Sequence, residues 1–231
     1  MRSSILWLSE RDSPDAFPPV ERALREPDGL LAAGGDLSPA RLLAAYRRGI
    51  FPWFSSGQPI LWWSPDPRAV LLPAQLRVSR SLAKSIRNKG FETRIDSAFA
   101  EVISACGSGE LRPGGTWLSP QMRSAYLRLH SMSYAHSIET WREGELVGGL
   151  YGVALGQVFF GESMFSTERD ASKVALARLC TELETRDFRL IDCQIATPHL
   201  LSLGAQLIPR TEFSELLAQY ASVTEPQAWI T

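Results

Sequence analysis

Cysteine is scarce in this chain: Cys106, Cys180 and Cys193 stand among 231 residues, at no paired spacing. An odd count without C-x-x-C pairs argues against a disulfide framework and leaves reduced, mostly buried thiols as the expectation. Histidine is equally sparse, and His130, His136 and His199 have no ligand-type neighbours at zinc spacing, so no metal is expected. No apolar run reaches the roughly 18 residues that a membrane helix needs. The start, MRSSILWLSERDSPDAF, meets acidic residues before a signal-like core can form, which points to a cytoplasmic chain. Phosphate-binding glycine loops, nucleophile elbows and Ser-His-Asp spacings are also missing, and with them the enzyme classes they mark. Repeats and low-complexity tracts are absent, and hydrophobic and charged fractions of 45% and 21% are those of an ordinary folded protein. Nothing suggests an oligomer: there are no heptads and no long apolar face, so a monomer is the default.

Excess charge is missing too, with 24 Lys and Arg against 25 Asp and Glu, a net of -1. Counterion release from nucleic-acid phosphates needs concentrated cations, so distribution matters more than the total. RVSRSLAKSIRNKGFETR is a local basic block holding Arg77, Arg80, Lys84, Arg87, Lys89 and Arg94 against Glu92 alone. On a helix, Arg80, Lys84 and Arg87 fall at i, i+4 and i+7, on one face. That face is either a phosphate contact or a solvated surface.

Proline and glycine punctuate the first sixty residues in DAFPPV, REPDG, AAGGDLSPARL and RGIFPWF, which reads as a small, loop-rich domain over residues 1–63. One helix stands out there: Ser38 is an N-cap, Pro39 the first helical residue, and Gly49 a stop. SPDP at residues 64–67 marks a boundary, and residues 64–231 form the larger domain. RAVLL reads as a strand, followed by the basic helix, a strand at FETRI and a helix at SAFAEVISACGS. Pro120 opens a helix with Met122, Tyr126, Leu129 and Met132 at a 3.6-residue period. HSIETWREGELVGGLYGVALGQVFFGESMFS alternates strand-like runs with turns at Glu143-Gly144 and Leu155-Gly156, an antiparallel meander. A helix at ASKVALARLCTELETR, a strand at RLIDCQIA and a helix from about Thr211 complete the pattern. Helices packed on a mixed sheet, an α+β architecture, are the expectation.

What is abundant is tryptophan beside glycine and a few polar residues, in GIFPWF, ILWWSPDPR, GGTWLS, GGLYG and FFGESMFS. The strings LREPDGLLAAGGDLSPARLLAAYRRGIFPWFS and ILWWSPDPRAVL resemble the N-terminal half of the leucyl/phenylalanyl-tRNA-protein transferase family. HSIETWREGELVGGLYGV, GESMFS, ASKVAL, LIDCQ and SLGA resemble its C-terminal half, in the right order and over nearly the whole chain. The resemblance implies a small N-terminal α/β domain followed by a larger N-acetyltransferase-like (GNAT-like) mixed-sheet domain. It also implies transfer of Leu, Phe or Met from aminoacyl-tRNA to proteins beginning with Lys or Arg, marking them for N-degron degradation. No cofactor is implied. A coenzyme A dependent N-acyltransferase is the alternative, but where such enzymes carry a glycine-rich pyrophosphate loop this chain has STERDASK. A noncatalytic tRNA-binding module is the third reading.

The chemistry implied is aminolysis of an activated ester, which asks for positioning of two substrates and management of one proton. An α-amine with a pKa of about 7.7 to 8 needs only a modest base. By resemblance, Asp192 and Gln194 form a relay that orients or deprotonates the incoming amine, with both side chains on one strand face. A buried structural acceptor and its partner is the other reading, and the donor ribose 2'-hydroxyl is an alternative proton carrier. Glu162 is the carboxylate available to a Lys or Arg acceptor, or else the cap of a turn. Leu150, Phe159, Met164, Leu176, Leu179, Leu183 and Ile191 are candidates for the donor side-chain pocket. At about 0.8 kcal/mol per buried methylene such a pocket tolerates Leu, Phe and Met alike. Leu150 stands where the family usually has methionine, which leaves the Leu-to-Phe ranking open. Trp53 and Trp117 match family positions at the tRNA 3' end, where stacking contributes about 1–3 kcal/mol per base; packing between domains is the alternative. Arg80, Lys84 and Arg87 are the candidate phosphate contacts.

Overall fold

Two sheets share one continuous core in the computed structural model, which describes residues 5–108, 118–221 and 229. The first contains β1 (Leu6–Leu8) and β2 (Leu30–Gly34) and is followed by helix α1 (Pro39–Tyr46), then β3 (Phe51–Pro52) and β4 (Leu61–Trp63). Its order is β1-β2-β4-β3, with β1 parallel to β2 and the other pairs antiparallel. The segment read as loop-rich is thus a small sheet: strands of two to five residues are too short to print an alternating pattern, and Pro and Gly at their ends dominate the sequence signal.

Helix α1 starts as its sequence dictates. The Ser38 hydroxyl accepts from the Arg41 N–H, Pro39 takes the first turn, and Asp36 accepts from both the Ser38 N–H and Arg41 Nε. Arg41 is buried, and its guanidinium donates to the carbonyls of Ser9, Asp12 and Ser13, tying the N-terminal loop to the helix. Gly49 turns the chain with φ of 69°, and a Cβ there would stand 2.8 Å from the Phe213 ring.

The second sheet takes β5 (Arg68–Leu71), helix α2 (Arg80–Asn88), β6 (Glu92–Ile95), helices α3 (Phe99–Gly107) and α4 (Pro120–Ser131), and the meander β7 (Ala135–Arg142), β8 (Glu145–Leu155) and β9 (Val158–Ser166). Helix α5 (Ala171–Thr185), β10 (Leu190–Gln194), α6 (Pro198–Ser202), β11 (Gln206–Ile208) and α7 (Arg210–Tyr220) follow. The order is β11-β5-β10-β9-β8-β7-β6, antiparallel except where β10 returns parallel to β9 after α5. The architecture is α+β with helices on a mixed sheet, as the element pattern predicts. The first hairpin turns at Glu143 and Gly144, both at positive φ, the geometry of a tight twisted turn. The second turns at Gly156-Gln157, one residue later than expected. Short α6 and β11 were not anticipated. Met132, expected on the apolar face of α4, caps that helix and is exposed.

Side-chain alternation sorts the core onto the two faces of this sheet. Tyr151, Val153, Val158, Phe160 and Leu190 pack with α3, α4 and α7 and with the small sheet; Ile138, Leu150, Ala154, Phe159 and Ile191 pack with α2 and α5. The pairing of β9 with β10 runs only from Val158–Phe160 against Leu190–Asp192. A register shift between Asp192 and Gln194, with Gln194 at φ 54°, then turns β10 away while β9 stays paired to β8 as far as Ser166. The sheet splits there, and the gap is where its two faces communicate. No described helix is long and apolar enough to cross a membrane.

Candidate functional site

A cleft of about 400 Å³ occupies the gap between β9 and β10. Its walls are apolar: Leu150 from β8, Phe159 and Met164 from β9, Leu176 and Leu179 from α5, and Ile191 from β10 all line it. The seventh pocket candidate, Leu183, does not. It lies about one turn beyond Leu179 on α5, fully buried in the core behind. At the mouth stand Phe51 and Trp53 from the small sheet and Thr197, His199 and Leu200 around α6. Trp53 is 43% exposed, held by its carbonyl accepting from Trp63 Nε1 at 2.6 Å and by the tilted Trp63 ring, so one face remains open. Trp117 lies outside the described residues.

Among the described lining residues, the carboxyl group facing this apolar space is that of Glu162. Its carboxylate accepts from the hydroxyl of Tyr46 at 2.8 Å and that of Tyr126 at 2.5 Å, and the two hydroxyls are 2.7 Å apart. Three elements distant in sequence, α1, α4 and β9, meet in this ring. Counting protons shows what it prefers. With Glu162 ionised, two hydroxyl protons serve three contacts and the tyrosine oxygens face each other without one. With Glu162 protonated, three protons close the cycle. Burial works in the same direction: it lifts the carboxyl to about 7, the neighbouring Asp192 charge adds to the rise, and the tyrosine hydroxyls oppose it. Burial and the nearby Glu162 charge raise both tyrosine hydroxyls well above their usual range. A carboxylic acid poised near neutrality can accept a proton, give one up, or pair with a cation.

Asp192 and Gln194 are placed differently from one another, contrary to the expectation that both side chains share a strand face. The register shift between them separates their directions. Asp192 is fully buried and gripped in bidentate fashion by Arg68, with Nε to Oδ1 at 2.8 Å and Nη2 to Oδ2 at 2.7 Å. Its Oδ1 also accepts from the Gln194 N–H at 3.0 Å. With those donors in place, an incoming amine reaches Asp192 only by displacing Arg68, which is itself sandwiched between the rings of Phe51 and Phe213. Gln194 does line the cleft, and its Nε2 approaches Glu162 Oε1 at 3.4 Å. The Arg68–Asp192 pair thus fixes the backbone bulge from which Gln194 reaches the acid. Cys193 also lines the cleft, but burial pushes its thiol pKa up, so it is no ready nucleophile.

Arg80, Lys84 and Arg87 lie on α2, all exposed, while Leu82 and Ser85 are buried on its other side. Ser85 donates to Asp170 at the start of α5, so this basic face sits beside the helix that walls the cleft. That helix start is itself occupied. The Ala171 N–H donates to the Glu168 carbonyl, the Ser172 N–H to the Ser166 hydroxyl, and the Asp170 carboxylate is held by Ser85 and Lys173. A Cβ on Gly148 would come 2.6 Å from the Ala171 Cβ, so β8 presses against the same turn. A diphosphate would meet engaged N–H groups and an acid there, the reverse of a phosphate cradle. Among the described residues no group of three or more His, Cys, Asp or Glu is gathered to hold a metal ion.

Tyr46, Tyr126 and Arg68 carry no sequence signal of their roles. Both tyrosines read as core positions of amphipathic helices, and the partners of all three lie far away in the chain.

A meander, a crossover helix and a returning parallel strand that splays from its neighbour define an α+β protein built on a split mixed sheet. Its cleft is walled by apolar side chains beside the Glu162 carboxyl, and among the described residues the start of α5 is no diphosphate cradle. The model of the family described as leucyl/phenylalanyl-tRNA protein transferase matches residues 70–218, and the model of that family's N-terminal domain matches residues 35–66. The leucyl/phenylalanyl-tRNA–protein transferase of Azoarcus sp. (strain BH72) is 62% identical over 224 residues, covering 97% of this chain and 94% of that protein. The protein of the same name from Aromatoleum aromaticum is 62% identical over 218 residues, covering 94% and 91%. A GCN5-related N-acetyltransferase from Kribbella flavida is similar at TM-score 0.40 and 11% identity, over 74% of this chain and 61% of that one. The chain belongs to the leucyl/phenylalanyl-tRNA-protein transferase family and is an aminoacyltransferase.

Proposed function

We propose that the protein moves Leu, Phe or Met from aminoacyl-tRNA to the α-amine of proteins beginning with Lys or Arg, in the cytoplasm, tagging them for degradation. The observation that carries this reading is the placement of Glu162 at the edge of an apolar cleft. One substrate brings an apolar side chain and the other a cation, and the cleft presents both complements. The donor side chain fills the space among Leu150, Phe159, Met164, Leu176, Leu179 and Ile191, with the terminal base against Trp53. Glu162 ionises to pair with the acceptor's Lys or Arg side chain. Gln194, held by the Arg68–Asp192 pair, orients the amine against the ester carbonyl. Asp192 then acts as a positioning residue, and the proton passes through another group, such as the donor ribose 2'-hydroxyl. The exposed face of Arg80, Lys84 and Arg87 follows the tRNA phosphates without reading sequence. The coenzyme A alternative is disfavoured by the occupied first turn of α5.

The test is a transfer assay with radiolabelled Leu-tRNA and peptides beginning with Arg, Lys or Ala. Label on the first two and not the third is expected. Label on all three rejects the role given to Glu162, and no label on any rejects the proposed reaction.

A further inference from the structure

The back of the apolar cleft is closed from an unexpected direction. Trp229, the third-last residue of the sequence, is 3% exposed and lies in the core beneath the cleft. Its indole stacks face to face on His136, with ring centres 4.3 Å apart and planes within 3°. It leans on Phe159 at 5.6 Å and meets the edge of Phe188 at 5.8 Å. Its carbonyl accepts from Arg186 at 2.8 Å, and that guanidinium also lies over the indole. Arg186 is in turn held by Glu182 at 2.7 Å. His136 cannot swing away: Nδ1 bonds the Asp96 carboxylate at 2.7 Å and Nε2 lies 3.2 Å from the Ser133 carbonyl.

Phe159 is the only one of these rings that also faces the cleft. It sits over Gly152, the residue opposite His136 in the β7–β8 register, and a Cβ on Gly152 would come within 2.5 Å of the Phe159 ring. One side of the ring is therefore seated on bare backbone and another is braced by Trp229. The cleft's depth at this wall depends on where that ring is held, and within the described residues Trp229 is the aromatic plate that braces it.

We propose that Trp229 sets the depth of the donor pocket through Phe159 and is thereby a positioning residue for donor choice. The inference rests on the cleft being the donor site. With Trp229 present, the Phe159 ring stands forward and the pocket fits a branched aliphatic chain. Without it, the ring relaxes into the vacated space, leucine loses contacts and the larger phenylalanine gains room.

The experiment uses the full-length chain as wild type, W229A, W229F and W229L, with Leu-tRNA and Phe-tRNA as donors and one Arg-initiated peptide as acceptor. The expected result for W229A is a fall of about tenfold in the Leu-to-Phe ratio of kcat/KM, carried by KM rather than kcat. W229F keeps a plate against His136 and Phe159 and holds the ratio within about twofold of wild type. Should W229A melt below the assay temperature, W229L, which keeps bulk without a plate, makes the same comparison. The double variant W229A/F159L should show the ratio of F159L alone, because Trp229 acts through that ring. An equal loss for both donors, or an unchanged ratio in a folded variant, overturns the proposal. Failure of the wild type to transfer either residue overturns the functional reading instead.

Discussion

If Glu162 pairs with the acceptor's cation as proposed, its protonation links substrate recognition to stability. An acceptor cation needs the ionised form, which a group titrating near 7 supplies only partly at neutrality. Binding of a non-reacting arginine ligand should therefore weaken about tenfold from pH 8 to pH 6, and Glu162→Gln should bind it poorly with no such dependence. Inhibition constants measured across that range check this. The sign for stability follows from linkage. The folded pKa is raised, so the folded state keeps a proton that the unfolded chain releases. This contribution to stability is complete below the ordinary carboxylate pKa and is lost as pH rises through about 7. Glu162→Gln, neutral at every pH and able both to donate and to accept within the tyrosine ring, should melt higher than wild type at pH 8 and close to it at pH 5. At the neighbouring pair, Arg68→Met strands the buried Asp192 charge and should cost about 3–5 kcal/mol in denaturant unfolding. Retention of full stability there would mean that Asp192 is not held as a charge.

Among the elements, the split between β9 and β10 has the largest consequence, and Gly152 on β8 seats the Phe159 ring that lines the cleft there. Gly152→Ala would drive a methyl into the Phe160 carbonyl and the Phe159 ring, an overpacking worth about 1–3 kcal/mol, visible as a lower melting temperature and poorer donor binding. Long elements were legible in the sequence because they repeat their signal: α1, α4, α5 and the meander announce themselves by capping residues, 3.6-residue spacing and paired turn residues. The short strands of the first sheet, α6 and β11 do not persist long enough to show a period. The site divides in the same way. Glu162, Gln194, Trp53 and six of the seven apolar candidates surround one cleft; the family resemblance singled them out, since by residue type most of the apolar ones read as ordinary core. Tyr46, Tyr126, Arg68 and Trp229 were not legible, because each owes its part to a contact that only folding creates. Leu183 looked like its helix neighbours Leu176 and Leu179 and shares their face of α5, but it lies beyond the end of the cleft, in the core. Helix α2 carries a prediction of its own: replacing Arg80, Lys84 and Arg87 by Ala should raise KM for aminoacyl-tRNA and flatten its log-log salt dependence by about 2, as expected for three lost phosphate contacts.

Across the whole molecule, one sheet separates an apolar core from a polar ring and brings them together at a single break. The small sheet supplies Phe51 and Trp53 to the mouth and, through Tyr46 of α1, a hydroxyl to Glu162, so the first sixty residues complete the site. A near-zero net charge does not oppose RNA binding when cations gather on one exposed helix face beside the cleft. The most direct measurement of this arrangement is a crystal structure with a non-hydrolysable 3'-leucylamido-adenosine. The leucine side chain should lie among Leu150, Phe159, Leu176 and Ile191, the adenine against Trp53, and the carbonyl within reach of Gln194 and Glu162. An analogue bound with its leucine outside the gap between β9 and β10, or its adenine away from Trp53, would contradict it.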